Sequence, residues 1–314
     1  WLRLYVNGQP EGLWKTWFVD GAPQSEAPFE NGQRNGVERW WYQSGNKRRE
    51  TVYLNNKRDG PSLSWYDSGA KQSEANYTKG SLDGLWAQWY ESGAKQFERT
   101  YLSGKQNGTS KAFFESGQVQ SSTQYNMGKL DGPQRQYTQS GVLVEETMWK
   151  MSQRDGLQRS WYPNGTLSWE LGWKANKKDG IERRYSQSSI KLLDGQWVTS
   201  ARVGQWRAWY NNGAKWNEAT WKAGKLDGAF WGWYDNGQQA MKQSYVGNQF
   251  DGDRQVWYAN GNQAKVEGWD KGLKHGYHHQ WAADGSWIKG TCFVKNKVKL
   301  TLQSEAEAVT KTCL

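Results

Sequence analysis

Ser81-Leu-Asp-Gly84-Leu-Trp86-Ala-Gln-Trp89-Tyr-Glu-Ser-Gly93-Ala-Lys95-Gln-Phe97-Glu98-Arg-Thr-Tyr101-Leu-Ser-Gly104 contains two short aromatic-rich runs, Leu85–Tyr90 and Lys95–Tyr101, bounded by Asp-Gly and Ser-Gly. Such runs read as strands joined by hairpins; they are too short and too glycine-bounded for helices. The stretch is one copy of a pattern that fills the chain. A glycine stands at 12, 36, 60, 84, 108, 132, 156, 180, 204, 228, 252 and 276, every 24 residues, usually after Asp or Asn. Glycine enters positive φ freely, and a preceding Asp or Asn favours a turn, so the spacing predicts a tight turn at each of these twelve sites.

Counting each repeat from that glycine as position 0, positions 5 and 17 are aromatic in all twelve copies, for example Trp89 and Tyr101. Position 9 is glycine in eleven, and a looser third turn falls near position 20, as in Asn7-Gly8 and Ser103-Gly104. Each repeat is therefore one β-hairpin whose neighbour adds to its edge. The fold expected is all-β: an elongated single-layer antiparallel sheet of twelve 24-residue β-hairpin repeats over residues 1–290, with a C-terminal cap at 291–314. The chain holds 23 Trp, 16 Tyr and 8 Phe at a mean hydropathy of −1.01, so the core is aromatic rather than aliphatic and the composition is not that of a disordered chain. The ladder aromatics are taken as that core.

These residues carry a resemblance. Gly84–Gly104 and Gly228-Ala-Phe-Trp-Gly-Trp-Tyr-Asp-Asn-Gly237 resemble the MORN-repeat variant of bacterial YwqK-type proteins, and the likeness runs over about residues 1–290. The resemblance implies a single-layer sheet of hairpins and a scaffold or binding role, and it brings no catalytic residues with it. Three departures stand out. Ser189 replaces the position-9 glycine of the eighth repeat, so that hairpin tip is expected to be altered. Val203 replaces the Asp or Asn before Gly204, and the pattern ends after Phe293, where Val298–Leu302 and Ser304–Leu314 read as the cap.

No chemistry of the catalytic kind emerges. Position 14 is Glu in seven repeats, among them Glu50, Glu98 and Glu218, and Lys often holds position 11. A regular row reads as a cross-strand charge ladder, since a hydrolase needs one carboxylate pair in a special environment. There is no nucleophile–histidine pairing and no phosphate loop, so no catalytic residue and no cofactor are expected. His275, His278 and His279 lie together, but adjacent strand residues point to opposite faces; they read as surface histidines, and no metal is expected. Cys292 and Cys313 read as a disulfide stapling the cap, which implies an oxidising compartment.

Tryptophans outside the two ladders are the candidates for contact: Trp206, Trp216, Trp231 and Trp287, with Ser189 at the altered tip. Charge points the same way: residues 1–150 carry 18 Lys/Arg against 16 Asp/Glu, and residues 151–314 carry 23 against 15. Residues 204–290 are thus the expected contact region. The reading is a non-enzymatic repeat scaffold of the cell envelope or exterior that binds a protein partner, with self-association through an open Trp1–Val6 edge as a further route. A carbohydrate or cell-wall binder using exposed Trp is the first alternative and a cytosolic antitoxin-like partner the second. Nucleic acid ranks last, because basic and acidic residues interleave. No apolar run could span a bilayer. Because the chain starts at Trp1, removal of an initiator and a leader is expected, consistent with a secreted, periplasmic or cell-surface protein.

Overall fold

A computed structural model of the chain describes residues 1–307 and Cys313. It divides into two compact units, Trp1–Arg154 and Asp155–Leu314. Among the described residues there are 29 strands, from Leu2–Val6 to Lys297–Leu302. Within each unit successive strands pair antiparallel in chain order, the two-residue strands such as Lys105–Gln106 pairing only with the strand before them, so each unit is an open, single-layered sheet of hairpins, as in the run Lys71–Thr78, Ser81–Trp89 and Lys95–Leu102. The hairpin pairing continues through Lys297–Leu302, which pairs with Trp287–Val294. Of the expected cap, residues 308–312 and 314 lie outside the described residues.

The glycine repeated every 24 residues is where the sequence reading needs correcting. All twelve copies have positive φ, from 66° at Gly204 to 118° at Gly228, so the backbone requirement is as expected. They are not turns, however. Ala75 pairs with Trp86 and Tyr77 with Leu82, so Asp83-Gly84-Leu85 stands opposite the single residue Asn76. The glycine is thus the centre of a bulge inside a strand, a distortion that L-residues resist because Cβ crowds the carbonyl at positive φ. The Asp or Asn before it reaches into the next repeat: Asn107 Oδ1 accepts from the Met127 amide, and Asp179 Oδ2 from that of Thr199.

The tight turns are instead the weak signal near position 20. Asn7-Gly8, Asn55-Asn56, Met151-Ser152, Thr199-Ser200 and Lys295-Asn296 all hold two successive residues at positive φ between paired strands, the type I′ geometry that matches strand twist. Neighbouring repeats satisfy their polar groups: the Asn56 amide donates to the Arg34 carbonyl and Asn56 Oδ1 accepts from the Arg34 amide. At the opposite sheet margin a three-residue loop closes each hairpin, as where the Tyr90 amide donates to Ala94 O and that of Gly93 to Tyr90 O. The eighth tip was expected to be altered, yet it closes in the same way. Ser186 N donates to Ile190 O and Ser189 N to Ser186 O, with Ser189 itself at φ 64°. A serine tolerates this left-handed position at modest cost, so the backbone there is unchanged.

The core also differs from expectation. Both aromatic ladders are mostly half-buried, and the deepest positions belong to small or polar side chains such as Ala87, Thr51 and Gln243. A single layer has no second sheet to cover its rings, so cations do part of that work. Lys71 Nζ lies 4.6 Å from the centre of the Trp89 ring, and Arg58 Cζ lies 5.1 Å from that of Tyr77. Tyrosine hydroxyls then stitch repeat to repeat: Tyr66 Oη donates to Trp89 O at 2.8 Å and Tyr234 Oη to Trp257 O at 2.8 Å.

Candidate functional site

Cross-strand partners share a face, and this rule sorts the repeat into two surfaces. On one, position 3 lies opposite position 14 and builds the expected charge ladder, with arginine as its second member. Arg159, Glu170, Arg183 and Asp194 link in sequence at 3.5, 3.0 and 3.3 Å. Glu170 is only 7% exposed but lies between two part-exposed guanidinium groups, and such regular pairing marks a structural ladder rather than an acid/base site.

The other face carries the position-17 ladder, and the residue at position 2 decides what lies beside each ring. Gln134 and Gln158 accept from the indole N–H groups of Trp149 and Trp173, and Glu182 from that of Trp197. In the eighth repeat this face opens into a groove of about 420 Å³. Trp169 lies directly opposite Arg184, and Arg184 opposite Leu193; in the next row Leu171 faces Glu182, and Glu182 faces Gly195. Tyr162, Tyr185 and Leu192 complete the apolar walls. Glu182 is only 5% exposed, and both its oxygens are occupied, Oε1 by Arg184 and Oε2 by Trp197. Burial, with the Glu170 carboxylate nearby, pushes the Tyr185 phenol above its ordinary value. A second depression continues past Tyr162 and Leu192 to Ser186, Gln187 and Ser188 at the hairpin tip. The groove can hold an apolar or aromatic group and pair a polar one with Arg184; it offers no activated nucleophile.

The expected contact residues do not converge. Trp206 corrects the sequence reading: it is 3% exposed, packed edge-on against Trp197 at 5.3 Å, and its indole donates to Gln196 O. It covers Gly195, where even a methyl group would overlap its ring. Trp216 is 53% exposed and rests against Tyr210. Trp231 takes an arginine position in the charge ladder, stacked on Trp233 with Lys242 5.0 Å from its ring centre. Trp287 is half-buried opposite Trp281. Ser189 is exposed beside the groove's outer end. Trp169 also lies outside the two ladders, but nothing in its spacing distinguishes it. The groove comes from its cross-strand neighbours Arg184 and Ser160, nine or more residues away in the chain.

Two further expectations meet the structure here. The histidines are not surface groups: His278 is half-buried between Trp269 and Phe293, with Nε2 2.9 Å from Gly268 O, and burial lowers the pKa of both His278 and His279. Cys292 and Cys313 are joined, with Cα atoms 5.5 Å apart, and Cys292 is fully buried. Among the described residues, no helix is long and apolar enough to cross a membrane.

The family model described as the MORN repeat variant matches residues 34–55, 106–127 and 154–168. No curated protein matches the chain significantly. Among solved structures, the crystal structure of TcdB2-TccC3-TEV is similar at 11% identity and a TM-score of 0.18, over 96% of this chain and 19% of that one. A structure of the Photorhabdus luminescens Tc holotoxin pore carrying a TccC3 mutation is similar at 11% identity and a TM-score of 0.15, over 85% and 19%. The chain spans about a fifth of the length of these solved chains.

Proposed function

We propose that this chain, which carries repeats of the MORN variant, is a non-enzymatic scaffold that holds a protein partner against the aromatic face of its second unit. The observation that carries the reading is the groove at Trp169, Arg184 and Leu192. It lines a continuous depression with tryptophan, tyrosine and arginine, the side chains that dominate protein contacts. The exposed Trp216 ring extends the apolar surface. The joined Cys292–Cys313 pair supports a place in the cell envelope or exterior over the cytosolic alternative.

The test is site-specific photo-crosslinking in the native host. A crosslinker at Leu192 is expected to capture one protein that a crosslinker at Arg159, on the ladder face, does not. Arg184→Ala should abolish the capture, and because it also strips the buried Glu182 of a partner, circular dichroism is used to confirm that the loss is not unfolding. Capture at both sites, or capture unaffected by Arg184→Ala, would remove the groove from the reading. The carbohydrate alternative predicts crosslinks to glycan and none to protein.

A further inference from the structure

Near the end of the array the same face is built differently. In the last two repeats Lys265 lies directly opposite Gln280, and Gln280 directly opposite Lys289, so two ammonium stems flank one amide across three adjacent strands. The next row places Glu267, His278 and Thr291 side by side. Lys274 joins from the turn side, and together these residues line a cavity of about 250 Å³.

Three features separate this cavity from the rest of the array. In the chain as a whole, position 13 is Ser25, Arg49, Ser73, Phe97, Ser121 or Glu145 in the first six repeats and Trp169, Leu193, Asn217, Met241, Lys265 or Lys289 in the last six. Only the final pair puts cations on both sides of a position-4 residue, so the arrangement is not the repeat's own way of packing. The one carboxylate in the cavity, Glu267, is already engaged by Arg254 Nη1 at 2.7 Å. Neither Lys265 nor Lys289 forms an ion pair among the described residues. The lining therefore holds three lysines against one neutralised carboxylate, at strand spacings that set Lys265 and Lys289 about 10 Å apart at Cα, near enough for both stems to reach one small group between them.

We infer that this cavity is a binding site for a tetrahedral oxyanion of double negative charge, of the phosphate or sulfate class. Lysines act as point charges with rotatable donors and suit a compact multivalent anion, whereas a planar carboxylate is matched by the guanidinium fork, which is absent from the two flanking positions. The Gln280 amide and the Thr291 hydroxyl, on the central and outer strands, add neutral donors. The ligand would neutralise lysines that otherwise repel one another. This site is separate from the groove at Arg184, and neither depends on the other.

The experiment is titration calorimetry of the intact chain with inorganic phosphate, inorganic sulfate and sodium acetate at constant ionic strength. Phosphate and sulfate are expected to bind at one saturable site, with a dissociation constant on the order of millimolar. The double variant Lys265→Gln/Lys289→Gln should weaken this at least about tenfold. Lys222→Gln/Lys225→Gln removes the same charge at an exposed turn of the same unit and should leave binding unchanged. Absence of saturable binding, equal loss in both double variants, or acetate binding as tightly as phosphate would each overturn the assignment. Circular dichroism of both variants confirms that a loss is not unfolding.

Discussion

Replacing Trp206 and Trp216 separately by alanine distinguishes a core ring from a surface ring within one repeat. Trp206 is 3% exposed, and removing it uncovers Gly195, which has no side chain to fill the gap. Burying an indole removes on the order of 200 Å² from water, worth about 5 kcal/mol at 25 cal/mol/Å², and measured Trp→Ala costs run to about 3–5 kcal/mol. Its edge-on contact with Trp197 and the Arg202 guanidinium, 4.3 Å from its ring centre, would be lost as well. Trp216 already has 53% of its surface in water, so the same change should cost about 1–2 kcal/mol. The assay is amide hydrogen exchange by mass spectrometry, read over Lys191–Val198 and Ala201–Trp209, because stability in a repeat array is local and each variant removes a fluorophore. Trp206→Ala should strip protection from both strands, while Trp216→Ala leaves them nearly intact. Equal effects, or a Trp206→Ala cost below about 1 kcal/mol, would refute the assignment of Trp206 to the core.

Three other outcomes follow from the geometry. Gly84→Val should destabilise by about 1–3 kcal/mol in urea unfolding, from its φ of 97° and not from crowding, since the nearest atom to an added Cβ is 3.8 Å away. Acid should weaken the fold in two stages seen in melting temperature against pH. Burial holds His278 and His279 below their unfolded pKa, so the folded state binds fewer protons than the unfolded one and stability falls as pH drops through about 6.5. The Lys95 hydrogen bond, against some desolvation, lowers Glu98, so its contribution is present above the unfolded value and is lost as pH falls further; a flat profile between pH 7 and 5 would contradict the first stage and a flat one below pH 4.5 the second. Non-reducing digestion should recover Cys292 and Cys313 in one cross-linked peptide, and two alkylatable thiols would instead favour a reducing compartment.

Periodicity alone carried the secondary structure. Glycine every 24 residues with aromatics at fixed offsets specifies short strands paired in hairpin repeats, because positive φ and ring packing recur at the same places in every copy. The sequence also set the end of the array apart, through its three clustered histidines and its two cysteines. It could not show which of its glycine motifs was a turn. A positive φ is needed equally in a bulge and in a hairpin, and only the pairing of Ala75 with Trp86 and Tyr77 with Leu82 separates them. Nor could it assign faces, because alternation holds only along an unbroken strand. Lys95 and Glu98 are three apart and would point to opposite sides of a regular strand. Gln96 is an extra residue between the Lys95–Trp89 and Phe97–Gln88 pairs, and that bulge brings the ammonium and carboxylate together at 2.8 Å. With parity reset once in each repeat, the Trp169–Arg184 groove and the Lys265–Gln280–Lys289 row are products of cross-strand register. They join residues 9 to 15 positions apart in the chain, which only the folded sheet places side by side.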